Sequence, residues 1–236
     1  LTSLEYEVIA AGYRRRAWDI VMRVRGHRCS EAGQCIVADM GCGPGQNAAA
    51  LIREGVARAA LLLDISPTMV RKAVEGVKEG IALGVCGDMA CTPLRGDCVD
   101  AVIMVASLHH LTKKEDRLCA LRESFRVLKA GGAVLVVVWA RWQVRLLPLL
   151  LRGVTRYVLG RSESPWDVVK CSRGGAVCRE YHLYSLGELI TDVRGAGFKV
   201  VEAGTYVAPG RKSLPRKNYY VVGVKPEVNS KGLLFP

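Results

Sequence analysis

The stretch CIVADMGCGPG, residues 35–45, is an apolar run that ends in Asp39 and is followed by glycines at 41, 43 and 45. A buried strand therefore runs straight into a loop almost free of side chains, and a helix is expected over residues 46–54. Glycine belongs where a turn is tight and a ligand must approach the backbone, since any Cβ would collide with it. Open amides at the helix start favour a polar or anionic group. The dinucleotide fingerprint G-x-G-x-x-G does not fit, because the third glycine comes one residue too early and an acid stands just before the first. An ordinary strand-turn-helix corner explains a lone glycine triplet about as well, so a second signal is needed.

Two further acids supply it. Residues 59–63, AALLL, read as a buried strand ending in Asp64, at a distance from the glycines that suits a carboxylate gripping ribose hydroxyls. Asp88 ends the strand after that. Three strands each delivering an acid at the carboxyl end is how a doubly wound sheet builds a nucleoside site. The pattern resembles motif I, D-x-G-x-G-x-G, of the class I S-adenosylmethionine (SAM) methyltransferases. That resemblance implies SAM as cofactor and a binding set of Asp39, Gly41, Cys42, Gly43, Gly45, Asp64, Ile65, Asp88, Met89 and Ala106, with Asp88 and the Met89 amide reading the adenine edge.

With 236 residues the chain has room for one well-buried α/β domain with decorations. Half of the residues are hydrophobic and 24% charged, which excludes a disordered chain. No apolar run approaches a membrane span, and the start, LTSLEYEV, has no basic or apolar leader region; a cytoplasmic protein with no membrane partner is expected. The net charge of +12 points to a polyanionic partner such as RNA, with solubility the plainer explanation. Nine cysteines include no C-x-x-C pair and no Cys/His cluster, so no metal site is expected and most should be small core residues. Arginine outweighs lysine and amides are few, a composition compatible with a thermophile, in which a disulfide such as Cys171–Cys178 is allowed.

The expected architecture is a doubly wound α/β fold: a mostly parallel seven-stranded sheet with an antiparallel last strand and a helical insertion after strand five. Residues 6–24 carry apolar positions at helical spacing around Arg14, Arg15 and Arg16, within an N-terminal segment of residues 1–33. Ser66 and Pro67 should open a helix through Gly76. Strands are expected at 81–86, 98–105 and 133–139, with a helix over 113–128 closed by Gly131 and Gly132. Residues 140–180 form the insertion. Within it Arg141, Arg145, Arg152 and Arg156 fall on one narrow face if a single helix runs through them, with Pro148 a candidate kink. Such a stripe fits a solvated face, a nucleic-acid contact or a membrane-surface helix, and the basic charge favours RNA. Ser185 and Glu188 form a capping box, strands at 199–207 and 218–225 pair antiparallel around a basic loop reaching Arg211 and Lys217, and residues 226–236 are a tail.

Strand four exits into His109 and His110, at the lip of the cofactor cleft. One of the two is expected to pack or cap and the other to act; Arg179, Tyr181 and His182, in the string REYH, could fold over the same cleft. The strings IMVASLHHL, VLKAGGAVLVVVWARWQ, REYHLYSLGEL and KNYYVVGVK resemble the tRNA wobble-uridine carboxymethyl methyltransferases, in order and over nearly the whole chain. The resemblance implies that a carboxymethyl group is methylated to its ester, with tRNA as substrate and a small zinc-binding activator protein as partner in a heterodimer. It makes His110, His109 and Arg179 the catalytic candidates and Arg141, Arg145, Arg152, Arg156, Tyr181 and His182 the substrate-binding ones. Pro44 and Gln46 depart from the family's glycine loop, and Trp142 stands where an acid is common. A small-molecule methyltransferase of the quinone or sterol type is the alternative.

Overall fold

The computed structural model describes residues 17–29, 34–171, 177–208 and 216–227. In chain order it contains β1 (Cys35–Met40), α1 (Gln46–Arg53), β2 (Ala57–Asp64), α2 (Pro67–Gly76), β3 (Ile81–Cys86), β4 (Val99–Val105), α3 (Lys114–Val127) and β5 (Leu128–Trp139). Then come α4 (Leu147–Val158), β6 (Asp167–Cys171), β7 (Cys178–His182), α5 (Leu186–Gly195), β8 (Lys199–Ala208) and β9 (Arg216–Val224). Seven strands form one sheet in the order β3-β2-β1-β4-β5-β9-β8. All neighbours pair in parallel except β9, which runs antiparallel to both β5 and β8. Chain order reverses between β1 and β4, so the crevice that such sheets use for ligands opens above those two strands.

Alternation along the strands builds one core on each face. Val37, Ala101, Ile103, Leu135 and Val137 join Ala48, Leu51 and Ala73 of the first two helices on one side. Ala38, Val102, Met104, Val134 and Val136 meet Ala120 and Leu121 of α3 and Leu189 and Val193 of α5 on the other. Asp100, the one acid inside β4, is answered at the sheet's far end: its oxygens accept from Lys129 Nζ at 2.9 Å, Arg28 Nε at 3.3 Å and the Ile36 amide at 3.0 Å.

Both expected caps form. Ser66 Oγ accepts from the Met69 amide at 3.2 Å with Pro67 beside it, and Ser185 and Glu188 make a reciprocal capping box. Four expectations need correction. Of the leading helix, the described part is only a 3-10 segment, Asp19–Val24; residues 1–16, including Arg14 to Arg16, lie outside the described residues, as do 209–215 of the basic loop and 228–236 of the tail. The glycines at 131 and 132 do not end α3, because the chain turns into β5 at Leu128 and Gly131, at φ +75°, lies within that strand. The insertion is not purely helical, since β6 and β7 form a separate two-stranded antiparallel sheet. Cysteines are mostly not free core residues: Cys29–Cys35 and Cys171–Cys178 are disulfides, and Cys86, Cys91 and Cys119 are exposed. Among the described residues, no helix is long and apolar enough to cross a membrane.

Candidate active site

The glycine spacing has a backbone cause. Gly41, Gly43 and Gly45 all have positive φ, at +75°, +53° and +76°, so three left-handed positions alternate in five residues. Gly41 also has no room for a side chain: a Cβ there would stand 2.4 Å from Ser107 Cβ and 2.9 Å from Met89 Cε. The loop's own amides are largely spent inside the protein. Those of Gly41 and Cys42 donate to the Leu63 carbonyl, that of Gly43 to Asp64 Oδ2 at 2.9 Å, and that of Gly45 to the Cys42 carbonyl. Asp64 is thereby fixed between two backbone donors, its other oxygen accepting from the Ser66 amide at 3.0 Å.

Asp39 lies beneath this loop, 1% exposed, with Oδ2 lacking a hydrogen-bond partner. Burial and the nearby Asp64 charge push its carboxyl up to about 7, against a bond from the Ala48 amide that lowers it. Its place is the support of the loop and of the α1 N-terminus. Cys42 is buried too, its thiol raised by burial and by the two carboxylates.

A cavity of about 400 Å³ opens at the carboxyl ends of the strands. Gly41, Gly43, Asp64, Ile65, Asp88, Met89 and Ala106 line it, whereas Asp39, Cys42 and Gly45 do not. Ala106 reaches the wall with φ +57°, its amide tied to the Val137 carbonyl at 2.8 Å. Asp88 is oriented by the Ala90 amide, which donates to Oδ1 at 2.8 Å. Gly41, with no space for a Cβ, and Gly43 beside strand-end carboxylates fit an adenosyl cofactor with a polar tail.

His110 and Arg179 line the same cavity, although 69 positions separate them in the chain. None of the other three candidates, His109, Tyr181 and His182, lines it. His109 is fully buried, its ring 5.0 Å from those of His110 and Trp139. Tyr181 is 3% exposed and stacks on Trp139 at 4.6 Å. His182 is a correction: its Nδ1 lies 2.7 Å from Asp167 Oδ1 and its Nε2 2.7 Å from Glu188 Oε1, so it joins the insertion to α5.

The arginine stripe is corrected as well. Arg141 and Arg145 precede α4, and Pro148 opens that helix instead of kinking it. Arg141 donates to Glu188 Oε2 at 2.7 Å and lies over the Trp166 ring; Arg156 pairs with Glu180 at 2.6 Å; Arg145 donates to Gln143 Oε1 at 2.9 Å. Only Arg152 of the four is exposed on the helix. Sequence reasoning missed Ser107, Lys113, Asp116 and Glu180, which all line the cavity. Ser107, buried with Oγ unpartnered, was signalled by its position two residues after the end of β4. Glu180 lies in the REYH string beside Arg179, whereas Lys113 and Asp116 carry no local signal.

Residues 38–136 match the family profile described as a methyltransferase domain. Within that stretch the chain carries a methyltransferase domain, and the sheet order and glycine loop suit S-adenosylmethionine as its cofactor. The chain is 29% identical over 195 residues to an Encephalitozoon cuniculi protein named as a methyltransferase, covering 81% of this chain and 82% of that one. It is 35% identical over 108 residues to the tRNA (carboxymethyluridine(34)-5-O)-methyltransferase of Xenopus tropicalis, covering 44% of this chain and 15% of that protein. It thus spans only a small part of that longer relative. Its fold is shared with a SAM-dependent methyltransferase of Methanosarcina mazei, at a TM-score of 0.73 and 18% identity over 90% of this chain and 99% of the other. It is shared also with a Haloferax volcanii methyltransferase solved in complex with the activator Trm112, at 0.63 and 19% over 96% and 98%.

Proposed function

We propose that this methyltransferase esterifies the carboxylate of a carboxymethyl group on a tRNA wobble uridine, working with a small zinc-binding activator. The observation that carries the reading is the meeting of Arg179 and His110 in the cavity floored by the glycine loop. S-adenosylmethionine supplies an electrophilic methyl group on a sulfonium. A carboxylate is already ionised at neutral pH, so the chain's residues have to orient and desolvate it and need not remove a proton. Arg179 offers a bidentate fork for the two carboxylate oxygens, and His110 donates to one of them, leaving a lone pair directed at the methyl. Lys113 adds a second cation to the same wall. Asp64 grips the ribose hydroxyls, and Asp88 with the Met89 amide reads the adenine edge.

The resemblance to carboxymethyluridine methyltransferases supports the same substrate, and the charged lining of Lys113, Asp116, Arg179 and Glu180 suits it better than a quinone or sterol. The activator has a place to dock. Strand β3 is the sheet's edge, with Ile81 and Leu83 more than half exposed, and an open apolar edge invites strand pairing. The test is to incubate the chain and an activator with tRNA bearing carboxymethyluridine and methyl-labelled SAM, then to digest and weigh the nucleosides. Label recovered as an alkali-sensitive ester of that uridine is expected. Label in a lipid extract, or none in tRNA with the activator present, overturns the reading.

A further inference from the structure

Helix α4 is apolar on two faces, and among the described residues only one of them is packed. Inward, Leu146, Leu149 and Leu150 pack with Val168, Tyr181 and Leu183. Gly153 brings the helix so close to β6 that a Cβ would stand 2.9 Å from the Asp167 carbonyl oxygen. Outward, Val144, Leu147, Leu151, Val154 and Val158 follow in steps of three, four, three and four, which draws one stripe along the helix and the turn before it. Their exposures are 76%, 46%, 72%, 43% and 77%. Single exposed leucines need no explanation, but a contiguous row of five does.

Within this segment of the chain the charge has one sign, although Glu180 of β7 pairs with Arg156. Between Arg141 and Ser162 there is no acid, while Arg145, Arg152, Arg156 and Arg161 are present. Arg152 and Arg161 are exposed, and Trp142 and Tyr157 lie in the open near the two ends. An apolar stripe flanked by arginines, with aromatic side chains near its ends, is the composition of a helix that lies in a membrane's headgroup region. We propose that the outward face of α4 docks on an anionic lipid bilayer surface.

Other occupants match only half of the face. RNA phosphates answer the arginines and leave the valines and leucines against water. A second copy in a two-fold contact would bring arginines against arginines. The face is independent of the reaction in the cavity, because none of the five stripe residues lines it.

The experiment is sedimentation of the full chain with phosphatidylcholine vesicles, with and without phosphatidylserine. Retention by the anionic vesicles alone is expected. A chain of net charge +12 can bind anionic vesicles through charge only, so the deciding variant leaves charge untouched. Leu151→Gln with Val158→Gln should weaken binding about tenfold or more, since two apolar side chains no longer leave water. SAM binding by calorimetry should stay unchanged and reports that the variant is folded. Equal vesicle binding by variant and wild type, or no binding by wild type, overturns the proposal. So does a variant that loses tRNA in a filter assay, or turns a dimer into a monomer, with vesicle binding unaffected.

Discussion

Asp39 and Asp100 are both carboxylates inside the sheet, and their surroundings drive them in opposite directions. Folding raises Asp39 from its ordinary value near 3.8 to about 7, chiefly by burial and then by the Asp64 charge. The folded state therefore holds a proton that the unfolded chain releases, and stability falls as pH rises through that window, by roughly 4 kcal/mol for the whole shift. Asp39→Asn should flatten this fall: in urea titrations from about pH 5 to about pH 7.5, wild type should lose more stability than the variant, and parallel curves would refute the assignment. Burial also pushes Asp100 up, but Lys129, the Ile36 amide and Arg28 outweigh it and hold it below its ordinary value. Its contribution is present above the ordinary carboxylate range and is lost as pH falls, so Asp100→Asn should cost stability at neutral pH and little in acid. At the proposed clamp, Arg179→Lys keeps the charge and loses the fork, and turnover should drop about tenfold with SAM affinity unchanged. His110→Ala should do likewise, and the double variant should lose less than the product of the two single losses, because both act on one carboxylate. Normal turnover in Arg179→Ala would place the clamp elsewhere. The glycines and strand-end acids were legible because backbone sterics and strand ends leave a local mark. Lys113 and Asp116 were not, because their place in the wall depends on how distant segments meet. His182 was misread for the same reason: nothing near it in sequence tells that Asp167 and Glu188 close on its two ring nitrogens.

Strand β3 and helix α4 show what periodicity can and cannot carry. The strand was legible in place and extent. Its Gly84 has a packing reason, since a Cβ would stand 2.5 Å from Val70 Cγ1 and 2.9 Å from Val74 Cγ2 of α2. Gly84→Ala should therefore cost about 1–3 kcal/mol by pushing α2 away, measured by urea unfolding; a cost near zero would mean that the helix gives way freely. Leu83 faces solvent and is free of that constraint. Leu83→Lys should leave stability within about 0.5 kcal/mol of wild type and abolish co-purification with the activator, by placing a charge on the pairing edge. Undiminished co-purification would move the partner to another face. The arginine stripe failed at this scale because a period drawn through residues 141–156 assumes one continuous helix. Pro148 belongs to the first turn of α4, where its missing amide costs nothing, so the helix starts after two of the four arginines.

At the scale of the molecule, the parallel doubly wound sheet followed from apolar runs alternating with helical stretches, and the antiparallel final pair from its alternation. The two-stranded sheet in the insertion did not, because β6 and β7 are five residues each and their pairing is a tertiary fact. One residue of α5 gathers several contacts from that insertion. Glu188 caps α5, accepts from Arg141 and faces His182, and although burial pushes its carboxyl up, His182, Arg141 and Arg117 hold it below its ordinary value. Movement of β7, which carries Arg179, away from α5 would break the His182–Glu188 contact at the first turn of that helix. In hydrogen exchange this makes β6, β7 and the first turn of α5 one opening unit, whose amides should exchange at a common rate. Glu188→Gln should speed all of them together, and acceleration confined to α5 would show that the insertion opens on its own.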